Sequence, residues 1–312
     1  MARKAQSVFS GGLIAAALVC VSLSCAAQDA GSLNARPLPP LANPGDPALP
    51  AKELFGRRGT PAKGPAQTIG FYSRGCVAGA VALPVDGDAW QVMRLSRNRN
   101  WGHPALIDVL QRLAHEARAA QIWPGLLVGD MSQPRGGPMI TGHASHQIGL
   151  DADVWLTPMP ARTLTRSERE EMSATNLVRA DWLDIDQQTF SARHIALLKL
   201  AAEQREVERI FVNPAIKKAL CADVRGDRSW LAKIRPMYGH NYHFHIRLAC
   251  PAGAASCRPQ EPPSSGDGCD ASLAWWFGDE ALHPKPVPPD KQPKPVTLAQ
   301  LPQACRAVLD AK

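Results

Sequence analysis

The chain has 312 residues, of which 45% are hydrophobic and 20% are charged, and its formal net charge is +7. This length allows one large domain or two small ones. The charge is only mildly basic, and Lys and Arg are dispersed without a dense run or an aromatic-interleaved stripe. The composition therefore excludes a typical nucleic-acid-binding protein and leaves only a long-range attraction to anionic polymers.

The first 27 residues have the order of a secretory signal peptide. Two basic residues are followed by an apolar stretch over 13–23 and by small residues up to Ala27. A transmembrane anchor is less favoured because this stretch is shorter than the ~20 residues that cross a bilayer. Lipidation of Cys25 is likewise less favoured than a cleaved secretory signal peptide, since Ser22 stands where lipoprotein signals usually carry an aliphatic residue. We expect export, removal of residues 1–27, and no membrane span in the mature chain.

The mature chain is predicted to have three parts. Residues 28–66 are rich in Pro, Ala and Gly and predict an extended leader. Residues 67–312 form the predicted domain, whose compact part begins near Ile69. A second proline-rich stretch, over 259–295, predicts an irregular tail, and Cys305 beyond it predicts that the tail is tied back by a disulfide.

Hydrophobic periodicity predicts helices interleaved with strands. Residues 104–119 and 194–202 have apolar side chains at helical spacing. Short apolar runs rich in branched or aromatic residues predict strands at 125–128, 151–155, 209–212 and 243–248. This order predicts the α+β class, with a small antiparallel sheet flanked by helices.

The mature chain contains an even number of cysteines, as expected of an exported protein with three disulfides. These cysteines are Cys76, Cys221, Cys250, Cys257, Cys269 and Cys305. Six cysteines permit 15 pairings, and only the short spacing of Cys250 and Cys257 suggests one of them. A cysteine zinc site is less favoured because no paired Cys-x-x-Cys is present.

Two short segments concentrate the residues that carry chemistry. In 142–153, His143, His146, Asp151 and Asp153 surround a glycine turn, and strand alternation puts both aspartates on one face. Two histidines and one carboxylate with an open fourth position are a known catalytic zinc pattern. Asp151 is either a ligand, a turn cap or a group that orients a ligand.

The second segment, 238–247, contains three further histidines. His243 and His245 are two residues apart and so lie on one side of a strand, while His240 stands at a Gly-Asn turn just before them. A lone histidine is more often a hydrogen-bonding residue than a ligand, but five of the nine histidines fall in these two segments. The clustering predicts a metal site formed by His146, Asp153 and His245.

These residues resemble the penicillin-insensitive murein endopeptidases, relatives of the lysostaphin-type and D-Ala-D-Ala metallopeptidases and of the hedgehog signalling domain. Residues 142–153 follow the motif Gly-His-x-Ser-His-Gln-x-Gly-Leu-Asp-x-Asp, and residues 240–245 follow His-x-x-His-x-His. The segments 94–103 and 211–221 extend the resemblance, which covers most of residues 69–280.

The resemblance implies a role for each of these side chains. His146, Asp153 and His245 become zinc ligands, His243 becomes the general base, and His240 stabilises or orients groups at the reacting centre. The implied fold is a small antiparallel sheet with long disulfide-tied loops. The implied disulfides are Cys76–Cys305, Cys221–Cys269 and Cys250–Cys257.

Members of the family can also hold a second metal, next to the first. It uses a histidine that matches His143 and an Asp-x-x-His pair whose nearest counterpart here is Asp181 with Asp184. Because Asp184 replaces the histidine, the implied second site is rich in oxygen. Two solvated carboxylates are the alternative interpretation, since aspartate is mostly exposed.

By resemblance, the substrate is the D-alanyl to meso-diaminopimelyl cross-link of periplasmic peptidoglycan. No serine or cysteine nucleophile is required, so insensitivity to β-lactams is expected. A zinc D,D- or L,D-carboxypeptidase acting on uncrosslinked muropeptides is the alternative enzyme. A binding or zinc-scavenging module, with a closed metal shell completed by His143 or Asp151, is the alternative outside catalysis.

Overall fold

The computed structural model describes residues 30–312, and the predicted signal peptide at 1–27 lies outside them. The α-helices of this part are α1 (Ala51–Phe55), α2 (Pro104–Ala119), α3 (Arg166–Glu171), α4 (Ala192–Glu203), α5 (Pro214–Asp223), α6 (Ala271–Ala274), α7 (Asp279–Leu282) and α8 (Ala304–Asp310). Its strands are β1 (Gln67–Phe71), β2 (Arg74–Ala78), β3 (Val81–Ala82), β4 (Trp90–Val92), β5 (Trp101–Gly102), β6 (Leu126–Val128), β7 (Asp151–Trp155), β8 (Val207–Val212), β9 (Ile234–Pro236) and β10 (His243–Leu248). The predicted helices coincide with α2 and lie within α4, and the predicted strands coincide with or overlap β6, β7, β8 and β10, so these predictions are confirmed.

The main sheet has six strands in the order β4-β6-β7-β10-β8-β9. The four central strands pair antiparallel, whereas β4 and β9 pair parallel to their neighbours. The prediction of an antiparallel sheet is therefore wrong at both edges. The chain passes through α2 between β4 and β6 and through α5 between β8 and β9, and a helical crossover brings the next strand back in parallel.

The two central strands, β7 and β10, divide the molecule into a core side and a polar side. Their alternate residues Ala152, Val154, Phe244 and Ile246 are fully buried and pack with the apolar faces of α2 and α4. Successive strand residues point to opposite faces, so the residues between them point away from this core. That opposite face carries the predicted site.

Helix α2 forms where the sequence supplies both a start and an apolar stripe. His103 Nδ1 accepts a hydrogen bond from the Ala105 backbone N–H, and Pro104 takes the first helical position, where its missing N–H is not needed. The helix buries seven side chains against the sheet. They are Leu106, Ile107, Val109, Leu110, Leu113, Ala114 and Ala117.

A second, smaller core joins the two ends of the described chain. Ala51 and Phe55 of α1 are fully buried, and they cluster with Ile69 and with Val308 and Leu309 of α8. The predicted extended leader is thus packed at its C-terminal end, and packed structure begins before Ile69. A short helix within a proline-rich segment gives too weak a periodic signal to be predicted from sequence.

The three disulfides implied by the resemblance are present. Their Cα atoms lie 5.7 Å apart in Cys76–Cys305, 5.6 Å in Cys221–Cys269 and 5.8 Å in Cys250–Cys257. The first of them ties α8 to β2 and so holds the tail against the domain, as expected. Among residues 30–312, no helix combines the length and the apolar character that crossing a membrane would need.

Candidate metal centre

The register of two antiparallel strands brings the predicted ligands together. His245 of β10 lies directly opposite Asp153 of β7, and Arg247 lies opposite Asp151. Directly opposed residues in an antiparallel pair project from the same face of the sheet. The predictions that both aspartates share one face of β7 and that His243 and His245 share one side of β10 are confirmed, and the register puts all four side chains on the same face of the sheet.

The third predicted ligand, His146, reaches the same face from the loop before β7. Its side chain is fully buried, and its backbone is left-handed, with φ of 64°. A non-glycine residue in this region is uncommon and often marks a functional site. The conformation is held by the carboxylate of Asp151, whose Oδ2 accepts a hydrogen bond of 3.0 Å from the His146 backbone N–H.

Three ligand atoms form a nearly equilateral triangle. His146 Nε2 lies 3.2 Å from His245 Nδ1 and 3.4 Å from Asp153 Oδ1, and His245 Nδ1 lies 3.3 Å from Asp153 Oδ1. Atoms bound at ~2.0–2.1 Å around a tetrahedral ion stand about 3.3–3.4 Å apart. Asp153 Oδ1 is buried and accepts no hydrogen bond, so an ion would satisfy it. The donor set therefore fits one divalent cation.

The other oxygen of Asp153 faces two further imidazoles. Oδ2 lies 3.5 Å from His143 Nδ1 and 3.6 Å from His243 Nε2. His143, His146 and Asp153 each offer a ligand atom within 4.8 Å of the others, so this set could also hold an ion. The triangle with His245 is tighter and more regular, and it fits a tetrahedral ion better.

Asp151 orients the ligands. Its Oδ1 accepts hydrogen bonds from His245 Nε2 at 2.9 Å and from Arg247 Nε at 2.7 Å. Burial alone would raise the pKa of Asp151, but Arg247 and His245 hold it below its usual range. A carboxylate on the far nitrogen of a ligating histidine sets the tautomer and the ring direction. The ionised Asp151 thus leaves Nδ1 of His245 to face the triangle.

Sequence reasoning missed Asp130, which lies at the edge of the site. Its Oδ2 accepts a hydrogen bond of 2.9 Å from His143 Nε2, and it pairs with Arg97 at 3.0 Å and Arg99 at 2.9 Å. Burial favours the neutral acid, but His143 and both guanidinium groups hold the pKa of Asp130 below its usual range. An aspartate just after the apolar run of β6 was the available signal, yet its place beside His143 depends on strand pairing that the sequence does not show.

The ligand face opens into a cleft of about 460 Å³. Its described lining is Arg94, Arg97, Gly129, Asp130, Gly142, His143, Asp153, Trp155, Tyr238, Gly239, His240, Tyr242 and His243. No serine or cysteine is among these residues. The cleft is large enough for a substrate, and it lies on the Asp153 side of the triangle.

Both predicted catalytic histidines line this cleft. Burial lowers the pKa of His243 to about 4 and that of His240 to about 3, so both imidazoles are neutral at neutral pH. His240 Nδ1–H donates a hydrogen bond of 3.0 Å to the Tyr238 carbonyl oxygen, which leaves its Nε2 as an acceptor. His243 Nδ1 is buried without a hydrogen-bond partner. The cleft therefore presents two neutral imidazoles, each with a ring nitrogen that can accept a hydrogen bond.

Comparison with known proteins identifies the family. The model of the penicillin-insensitive murein endopeptidase family matches residues 68–310. The chain belongs to this family. The penicillin-insensitive murein endopeptidase of Haemophilus influenzae is 46% identical over 236 residues, which cover 73% of this chain and 80% of that protein. Its namesakes in Klebsiella pneumoniae subsp. pneumoniae and Salmonella paratyphi C are 45% and 42% identical over 250 residues, covering 80% of this chain and 88% of each relative.

Membership of the penicillin-insensitive murein endopeptidase family confirms the resemblance and makes the chain a peptidase. The family is one of metallopeptidases, which agrees with the cluster of His143, His146 and Asp153. The interpretation as a binding module without catalysis is thereby set aside.

The two acidic residues of the predicted second site have basic partners instead. Asp181 pairs with Arg179 at 2.5 Å, and Asp184 pairs with Lys218 at 3.1 Å; both aspartate side chains are more than one third exposed. Neither belongs to the His and Asp cluster found in the described part of the chain. Their contacts correspond to the alternative interpretation of two solvated carboxylates.

Proposed function

We propose that this family member is an exported zinc endopeptidase that hydrolyses the D-alanyl–meso-diaminopimelyl cross-link of peptidoglycan in the periplasm. The triangle of His146, His245 and Asp153 Oδ1, with sides of 3.2–3.4 Å beside the neutral His243, is the observation that carries the proposal. Two imidazoles and one carboxylate are ligands that zinc favours. The relatives are named as murein endopeptidases, which supports the substrate.

Zinc, when bound, would polarise the scissile carbonyl and acidify a water molecule in the open fourth position. The protein residues around the triangle then provide the proton transfers. His243 projects from the same strand face as His245, two residues away, and it is not needed as a ligand. Its neutral ring would take the proton from the attacking water and pass it to the leaving amine.

The contacts of His240 suggest a narrower role than stabilisation of an oxyanion. A neutral ring that donates Nδ1–H to Tyr238 has only a bare Nε2 to offer, and such a nitrogen accepts a hydrogen bond. Burial keeps the ring neutral by lowering its pKa to about 3. We propose that His240 orients a donor, either the attacking water or the leaving amine.

Three further properties of the proposal have indirect support. The absence of serine and cysteine from the described cleft lining agrees with insensitivity to β-lactams. The three disulfides suit the oxidising compartment to which an exported chain goes. The mixed sheet with ligands on its central strands agrees with a fold like that of the hedgehog domain and the D-Ala-D-Ala metallopeptidases.

Metal analysis combined with digestion of cross-linked muropeptides tests the proposal. His146→Ala should lose both zinc and activity, because it removes one of the three ligand atoms of the triangle. His243→Ala should keep zinc and lose turnover by about 10²-fold or more, since it removes only the base. His115→Ala is the matched control: this histidine is half-exposed beside Asp88 and should keep both properties.

Two results would contradict the proposal. Full activity after zinc has been stripped by a chelator would exclude a catalytic metal, and full activity of His243→Ala would exclude that residue as the base. Mass analysis of the products also distinguishes the proposed endopeptidase from the alternative carboxypeptidase. Cleavage of monomeric muropeptides alone would favour the carboxypeptidase.

A further inference from the structure

A second cavity, of about 680 Å³, adjoins the catalytic cleft. Its walls combine the aromatic rings of Tyr238, Trp275 and Trp276 with polar side chains that include Asp279 and His283. Ligand cavities of this size are usually lined by aromatic groups with a few polar groups that fix orientation. The metal centre and the proposed proton transfers make no use of this cavity.

Trp275 is the most unusual residue of this wall, because 53% of its surface is exposed. An exposed tryptophan beside other aromatic rings with a polar rim is typical of an interaction site. Its ring lies edge to face with Trp276, with the two centroids 5.2 Å apart. Trp276 is in turn 5.2 Å from the ring of Tyr238, whose hydroxyl donates a hydrogen bond to the Trp276 carbonyl. We call Tyr238, Trp275 and Trp276 the aromatic platform.

The polar rim indicates what the platform can bind. Asp279 and His283 form an exposed pair at 2.9 Å, and Glu280 and Lys285 also line the cavity. The two carboxylates accept hydrogen bonds from hydroxyl and amide groups, and the Lys285 ammonium group donates hydrogen bonds to hydroxyl and carbonyl oxygens. A sugar ring presents C–H groups on one face and hydroxyl groups at its edge, which matches an aromatic surface edged by such acceptors.

The platform also adjoins the cleft that contains the metal centre. Tyr238 lines both cavities, and its carbonyl oxygen holds His240 of the catalytic cleft. Two ring-to-ring steps of 5.2 Å lead from Tyr238 to Trp275. A peptide stem of about four residues spans at most about 14 Å. A sugar on the platform and a peptide bond in the cleft can therefore belong to one substrate molecule.

We propose that the aromatic platform binds the glycan strand of peptidoglycan, with an N-acetylated hexosamine ring stacked on Trp275, while the attached peptide stem enters the catalytic cleft. This inference rests on the proposed function and deepens it. Trp275 acts here as a residue that positions the substrate, and it takes no part in the chemical step.

Kinetics on a matched pair of substrates test the inference. One substrate is a cross-linked muropeptide dimer with its sugars, and the other is the same dimer after an amidase has removed them. Trp275→Ala should raise KM about fivefold to tenfold on the first substrate, leave kcat unchanged, and leave both constants unchanged on the second. Trp275→Phe should recover most of the loss because it keeps a ring. Val81→Ala, at an exposed residue of β3, is the control for loss of surface apolar area.

A binding measurement keeps this test separate from that of the proposed function. Wild type that cleaves neither dimer would refute the proposed function, whereas calorimetric binding of a peptide-free murein tetrasaccharide reports on the platform alone. We expect wild type to bind this probe and Trp275→Ala to lose the binding. No binding by wild type at millimolar probe, an unchanged KM in Trp275→Ala, or an equal rise of KM on both dimers would overturn the inference.

Discussion

Removal of the Asp151 carboxylate tests how far the ligand triangle depends on its support. Asp151 is fully buried and accepts hydrogen bonds from three groups: the His245 ring, the Arg247 guanidinium and the His146 backbone N–H. Asp151→Ala therefore changes no ligand, but it frees both ligating histidines from the group that holds them. It also leaves the guanidinium of Arg247 buried without its anion.

Two magnitudes follow from these contacts. Loss of a carboxylate behind a ligating histidine usually weakens metal affinity 10–100-fold, which is about 1.4–2.7 kcal/mol. Removal of one partner of a buried ion pair usually costs 3–5 kcal/mol of unfolding free energy. We expect about 3 kcal/mol here, because Arg247 keeps a hydrogen bond to Gln260 and a stacking contact with the ring of Tyr72.

Two measurements separate the loss of metal affinity from the loss of stability. Competition with a chromophoric chelator gives the zinc affinity, and urea unfolding with and without zinc gives the unfolding free energy. Asp151→Asn keeps an acceptor oxygen for His245 and should lose less affinity than Asp151→Ala. Asp88→Ala removes an exposed aspartate and should change neither quantity. Wild-type zinc affinity in Asp151→Ala would refute the claim that this carboxylate orients the ligands, whatever happened to stability.

Three other predictions concern stability. Replacement of both Cys76 and Cys305 by alanine should reduce the unfolding free energy by about 5 kcal/mol, whereas replacement of both Cys250 and Cys257 should reduce it by about 2 kcal/mol. The difference is expected because the first disulfide closes a loop of 229 residues and the second a loop of 7 residues. Equal losses of unfolding free energy in urea would contradict the loop argument. Burial lowers the pKa of Lys217 to about 8, so between about pH 8 and pH 10 the unfolded chain binds more protons than the native chain. Relative to Lys217→Met, the wild type should therefore gain at most about 1.4 kcal/mol of stability for each pH unit in that window, and a parallel pH profile of the two proteins would count against the lowered pKa. Phe55→Ala should lower the unfolding free energy by about 3–5 kcal/mol, as expected for a fully buried ring. Leu38→Ala, at an exposed residue, should leave the unfolding free energy nearly unchanged. A small loss of unfolding free energy in the thermal unfolding of Phe55→Ala would mean that α1 is not part of the fold.

The parts of the fold that the sequence predicts are those with a strong local signal. Strands β7 and β10 alternate between core residues and, with the exception of Trp155, polar residues, so their bounds and faces follow from the sequence. Helix α2 is predicted to the residue because Pro104 gives it a start and its apolar stripe runs for four turns. The short spacing of Cys250 and Cys257 suggests one disulfide, and the family resemblance adds the two long-range pairs, which no local pattern could have selected.

The parts that sequence reasoning misses depend on contacts between distant segments. Strands β4 and β9 have three residues each, too few for a periodic pattern. Their parallel pairing follows from the helices α2 and α5, which lie in the chain between the paired strands. Helix α1 is stabilised by packing against α8, some 250 residues away. Asp130 belongs to the site only because β6 lies next to β7 in the sheet. None of these neighbours can be identified from local composition.

The alternation that buries the core also sets the distance between the proposed base, His243, and the proposed ligand, His245. Phe244 is fully buried on the core face, and this fixes its neighbours His243 and His245 on the opposite face. Residues two apart on a strand are about 6.6–6.8 Å apart along the chain, so the base stands close to a ligand without competing for the ion. A one-residue shift of β10 would place Phe244 in the cleft and both histidines in the core. Burial of Phe244 and Ile246 therefore supports the proposed chemistry as well as the stability of the fold, since it keeps β10 in the register that pairs His245 with Asp153.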